Sequence, residues 1–281
     1  MSEFFVKESM NFTLPCLLEQ ILLTLIKIIR VKLTFMQLRK HIPNFVTSLN
    51  LFSGCVGVAA IFSGHTTAAV ILMGAAAIFD FADGLVARAL HVKSAIGKEL
   101  DSLADVVSFG LLPGAIMYQL MLSCTNLPGK EFGWINPYPY LAFLITVFSA
   151  LRLAKFNIDT RQNDSFIGLP TPANALFIAS LPMILLQIGQ SDQKLVPIAS
   201  LLENYYFLIG LTVLMSWLLI AEIQLFALKF KNFSWQDNKS QFTFVGFSVL
   251  LLIILHFMAI PAIILLFILM SAMRRKAAIK S

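Results

Sequence analysis

Four aspartates carry the first chemical argument: Asp80 and Asp83, then Asp101 and Asp105. Residues three or four apart on a helix share a face, so each pair projects together from its own helix. The segment between the pairs is short enough to make the two helices antiparallel neighbours, which brings four carboxylates into one small volume. Carboxylates that close cannot all stay ionised without a positive partner. Hard divalent cations such as Mg²⁺ or Mn²⁺ are the natural partner, and no His or Cys falls at a ligand spacing within the cluster to favour zinc. Two cations on shared carboxylates suit in-line phosphoryl transfer, because they stabilise both the attacking and the leaving oxygen. Gly84 and Gly97 lack side chains and let a bulky ligand approach the backbone, while Arg88 offers a fork for phosphate oxygens. Helix-end charges in water, or a cation path through a transporter, are the competing readings. Two glycines and an arginine interleaved with the aspartates weigh against both, and the inverted repeats or broken helices of a transporter are not evident before position 256.

The elements that position these residues belong in a membrane. Of 281 residues, 58% are hydrophobic and 13% charged, with a mean hydropathy of +0.82; soluble domains carry about 25% charged residues. A water-soluble enzyme is excluded. Five of the 15 acidic residues lie between positions 80 and 105, within one of the most apolar regions, where charge is expensive and therefore functional by default. Spans of about 20 apolar residues fall at 44–63, 67–89, 99–123, 138–157, 172–190 and 205–228. A seventh stretch, 242–273, would reach roughly 48 Å as one helix, too long for a hydrocarbon core of about 30 Å. It is expected to break near His256 to Pro261 into two short helices.

Basic residues gather in short runs between these spans, the pattern of cytoplasmic loops and not of a nucleic-acid face. Arg39 and Lys40, the 90–98 loop, the 156–171 loop and the 229–241 loop alternate correctly, and the basic tail Arg274 to Lys280 requires an even number of crossings. The expectation is an all-α integral membrane protein with about eight transmembrane helices and the aspartates near the cytoplasmic interface. Residues 1–35 form an N-terminal extension, read as an interfacial helix and not a signal peptide. Residues 36–190 hold the catalytic helices 1–5, and residues 191–281 further membrane helices. Cys16, Cys55 and Cys124 show no CxxC spacing and read as packing residues. Glu222, placed in helix 6, and His256 read as packing or interface residues.

Arg152 and Lys155 lie three apart at the end of helix 4, on one face. Positive-inside flanking explains them blandly; the functional alternative is an anion site for an acceptor carboxylate or a lipid phosphate. Gly168, Pro170 and Pro172 make either a stiff turn into helix 5 or an ordinary interhelical loop.

The segment DFADGLVARALHVKSAIGKELDSLAD matches the signature of the CDP-alcohol phosphotransferase family, DxxDGxxARx8GxxxDxxxD, at every defined position. The resemblance implies the fold of that family and a membrane enzyme that moves a phosphatidyl or phosphoalcohol group from a CDP-linked donor to an alcohol and releases CMP. It implies that Asp80, Asp83 and Asp101 chiefly hold two Mg²⁺ or Mn²⁺ ions, with Asp105 the general base and a further reach to metal. It also implies nucleotide and phosphate contacts at Gly84, Arg88, Ser94 and Gly97, and at Asn44 and Thr47 of the NFVT stretch. HIPNFVTSLNLFSG, SLADVVSFGLLPG, and SALRLAKFN followed by FIGLPTPANA are similar to the bacterial and archaeal phosphatidylserine synthases of that family. This implies CDP-diacylglycerol and L-serine as substrates in a bacterial-type inner or plasma membrane, in contact with membrane lipid and without nucleic acid, and a homodimer. Glycerol phosphate, inositol phosphate or another alcohol is the alternative acceptor.

Overall fold

A computed structural model describes residues 39, 41–92, 94–159, 165–191, 196–226 and 239–280. The expected interfacial helix within 1–35, Cys16 and the basic positions Lys40, Lys93, Arg161, Lys229 and Lys231 lie outside the described residues.

The helices follow the apolar spans closely. They are α1 (His41–Phe62), α2 (Thr66–Ala89), α3 (Ala95–Ser123) and α4 (Tyr138–Ile158). After these come α5 (Thr171–Ser191), α6 (Val196–Leu202), α7 (Tyr205–Ile220), α8 (Lys239–Leu255) and α9 (Ala259–Lys280). The α3 and α5 helices are the most enclosed: Phe109, Leu112, Ile116 and Met121 of α3 and Ala175 and Ile178 of α5 are fully or almost fully buried in one core. Phe52, Ile71, Ile78, Phe81 and Ile253 point outward instead, an arrangement stable only where the surroundings are themselves apolar. The protein is an integral membrane protein.

Small residues set how closely α1 and α3 pack. A Cβ at Gly54 would stand 2.9 Å from the Ser108 Cα, and one at Gly57 would stand 2.6 Å from a Leu112 methyl, the small-residue contact by which helices associate in lipid. Within α3 the helix widens to a π turn over Val107–Leu111, just beyond Asp105. Two hydroxyls brace that turn: Ser108 Oγ donates to the Asn50 carbonyl at 3.0 Å, and Thr146 Oγ1 donates to the Gly110 carbonyl at 3.0 Å.

Three expectations need correction. Helix 6 does not run to 228: α7 ends at Ile220, and Glu222 is exposed beyond it. The chain there turns into β2 (Gln224–Phe226), which pairs antiparallel with β1 (Ser165–Ile167), so a three-residue ladder interrupts an otherwise helical fold. The ladder depends on Gly168, whose φ is +76° and where a Cβ would lie 2.5 Å from the Leu219 carbonyl oxygen; the turn before α5 is therefore a stiff, docked one. Cys55 is exposed on α1, so of the two described cysteines only Cys124 packs inside.

Among the described residues, six helices are long and apolar enough to cross a membrane, and the pair α6 and α7, bent by 71°, makes up to a seventh if it forms one span. The long stretch Gln241–Ser271 is one of the six, but it is not straight. His256 takes φ 51° in a 3₁₀ turn, His256–Met258, and the rings of Phe244 and Phe267 meet with centroids 5.6 Å apart. In a straight helix 23 residues would separate them by about 34 Å. The α8 and α9 helices thus fold back on each other where the sequence placed the break.

Candidate active site

The α2 and α3 helices meet their carboxylates as the spacing required. Asp80, Asp101 and Asp105 offer one oxygen each within 4.8 Å of one another. Asp83 stands beside this group, buried, and accepts a hydrogen bond from Thr47 Oγ1 of α1. Asp105 accepts from the Asn50 amide, Nδ2 to Oδ1, at 3.2 Å. Three helices therefore fix the four aspartates, and α1 acts as the clamp.

The cluster fits a hard divalent cation. It offers only carboxylate oxygens, the donor set Mg²⁺ and Mn²⁺ prefer. Asp101 Oδ1 is buried with no hydrogen-bond partner, and a buried carboxylate oxygen left unpaired is unfavourable unless a cation or donor meets it.

A cavity of about 480 Å³ opens beside the cluster. Asn44, Thr47, Asp83, Gly84, Ser94, Gly97 and Asp101 line it, together with Lys98, so most of the expected nucleotide contacts share one wall. Their local parts differ. Ser94 caps α3, its Oγ accepting from Gly97 N–H at 3.2 Å. Around Gly84 the space is open, the nearest atoms to a Cβ being the Arg88 guanidinium nitrogens at 3.8 and 3.9 Å. Gly97 also permits a close packing contact, since a Cβ would stand 2.8 Å from Asn44 Oδ1. Arg88 is exposed and outside the lining.

The α4 helix separates its two cations. Arg152 is buried, its guanidinium 3.4 Å from Thr171 Oγ1 of α5 and 5.6 Å over the Phe156 ring, within reach of the Asp105 charge. Lys155 is exposed. The expected shared face is not observed, because α4 turns Arg152 inward and leaves Lys155 at the surface, where flanking charge belongs. Sequence reasoning missed Asn50 and Thr171. Asn50 had a legible signal, for it follows Thr47 by three residues and so shares the face that meets the aspartates.

The family model for CDP-alcohol phosphatidyltransferases matches residues 40–218. A CDP-diacylglycerol–serine O-phosphatidyltransferase of Mycobacterium leprae is 37% identical over 155 residues, 53% of this chain and 48% of that protein. The Bacillus subtilis protein of the same name is 31% identical over 153 residues, 53% of this chain and 81% of its own length. An archaetidylserine synthase of Methanothermobacter thermautotrophicus is 35% identical over 144 residues, 50% of this chain and 56% of that protein. The chain spans about half the length of several of the curated relatives it matches. The match over most of α1 to α7, with the carboxylate cluster at its centre, places this chain in the CDP-alcohol phosphatidyltransferase family.

Proposed function

We propose that the protein transfers the phosphatidyl group of CDP-diacylglycerol to the hydroxyl of L-serine, giving phosphatidylserine and CMP. The observation that carries this reading is the juxtaposition of the cavity, the carboxylate cluster and the buried Arg152. Asn44, Thr47, Gly84, Ser94 and Gly97 hold the nucleotide end of the donor, and Arg88 reaches its phosphates. Asp80, Asp83 and Asp101 hold two divalent cations with Asp105 in reach, and when bound these neutralise charge on the donor's pyrophosphate. Asp105 takes the proton of the serine hydroxyl as its oxygen bonds to the phosphorus that carries diacylglycerol, and the bond from that phosphorus to CMP breaks.

Arg152 holds the serine carboxylate. Among the residues whose burial the structure describes it is the only buried Lys, Arg or His, and one guanidinium balances one carboxylate. Glycerol phosphate and inositol phosphate bring a dianion, which one cation leaves under-neutralised. Arg152→Ala should raise the KM for serine by at least about 10-fold, the value of one charge-assisted hydrogen bond, with little change in the KM for CDP-diacylglycerol. An unchanged serine KM would remove Arg152 from the acceptor site.

The same reading places the site at the cytoplasmic face of a bacterial-type plasma membrane, supported by exposed Arg39, Lys98 and Lys155 at the aspartate end. It also counts eight crossings, supported by the fold-back of α8 on α9, and a homodimer, supported by the family resemblance. A reporter fused after Ser281 should lie on the same side as one placed in the 90–98 loop. Opposite sides would give an odd number of crossings between the two fusion points and refute the eight-helix count.

A further inference from the structure

Asn50 lies on α1 six residues beyond Asn44 and is fully buried. Its amide nitrogen donates to Asp105 Oδ1 at 3.2 Å, while its own Oδ1 is buried with no hydrogen-bond partner. Buried side-chain polar atoms are almost always paired, so an amide satisfied at one end and orphaned at the other, beside a carboxylate cluster, points to a group that arrives with the substrate. The backbone of Asn50 is held separately, by Ser108 Oγ at its carbonyl. The side chain is therefore not needed for that link between α1 and α3.

We propose that Asn50 is a positioning and specificity residue of the acceptor half of the site. Its Nδ2 occupies one oxygen of Asp105 and leaves the other free for the acceptor's hydroxyl proton. Its Oδ1 accepts a hydrogen bond from the acceptor's ammonium group. Arg152 Nε is likewise buried and unpartnered, and the Arg152 guanidinium lies within reach of the Asp105 charge. A lone acceptor and a cationic donor in the neighbourhood of the base complement a zwitterionic amino alcohol. This rests on the proposed serine transfer.

The test compares two variants of the full-length enzyme in detergent. Asn50→Asp keeps an acceptor oxygen but loses the donor to Asp105; kcat should fall by at least about 10-fold with the serine KM held within about 3-fold. Asn50→Leu loses both ends, so kcat should fall similarly and the serine KM should rise by at least about 5-fold, the value of a hydrogen bond. The KM for CDP-diacylglycerol should stay near its unmutated value in both, and the Mn²⁺ concentration for half activation near its unmutated value in Asn50→Leu. Ser108→Ala, which removes the α1–α3 link without touching Asp105, should retain most activity. Unchanged kcat in both Asn50 variants, or equal losses in Ser108→Ala, would overturn the proposal. Failure of the unmutated enzyme to use serine would instead refute the acceptor, and the kcat comparison then stands on whichever alcohol releases CMP.

Discussion

Exhaustive chelation is expected to reduce CMP release to below about 1% of its starting rate, and added Mg²⁺ or Mn²⁺ to restore it. Three carboxylates within 4.8 Å repel one another strongly where water is scarce, and among the described residues no Lys, Arg or His forms an ion pair with Asp80 or Asp101. The orphaned Asp101 Oδ1 adds an unmet acceptor to that repulsion. A divalent cation answers both, and stabilisation of developing charge by such a group is worth about 10²–10³-fold or more in rate. Ca²⁺, which takes oxygen ligands at longer distances and in looser geometry, should restore less. Full activity after chelation would show that the aspartates serve another purpose.

Asp105→Asn should lower turnover by at least about 10²-fold while the KM for CDP-diacylglycerol changes little. General-base catalysis contributes typically 10²–10⁴-fold, and serine's hydroxyl is a poor nucleophile until its proton has somewhere to go. The substitution keeps size and one oxygen but cannot accept that proton. Asp105 suits the task because it lies one turn beyond Asp101, it is not among the residues lining the donor cavity, and Asn50 already occupies one of its oxygens. Asp83→Asn would separate the roles, since Asp83 lines the cavity and is held by Thr47; there the KM for the donor should rise. Near wild-type turnover in Asp105→Asn would return the base assignment to another group.

The aspartate pairs were legible because helical spacing alone decides which residues share a face, and a short connection decides which helices are neighbours. Asn44 and Thr47, which line the cavity, were legible only through the family resemblance. Helical spacing could not say what lies opposite a face, which is why Lys155 read as a partner of Arg152 although Arg152 is buried and Lys155 exposed. Hydropathy has a further blind spot in membranes: a lipid-facing side and a packed side are equally apolar. Exposed Phe52 and buried Met73 therefore look alike in sequence. The overrun of helix 6 past Ile220 has the same origin, because Ile223, Leu225 and Phe226 continue the apolar pattern while the backbone has already left the helix for a ladder that only Gly168 permits. The π turn after Asp105 left no signal at all in periodicity, being fixed by its own Ser108 hydroxyl, which donates to an α1 carbonyl, and by the Thr146 hydroxyl of α4.

The most direct measurement is a competition among acceptors. The purified full chain is given CDP-diacylglycerol, Mn²⁺ and labelled serine, glycerol phosphate or inositol phosphate, singly and in equal mixture, with CMP and labelled lipid both quantified. Serine should support CMP release in step with labelled phosphatidylserine and should outcompete both phosphates in the mixture. Preferential labelling of lipid by glycerol phosphate or inositol phosphate, or CMP release that no added alcohol accelerates, would contradict serine transfer.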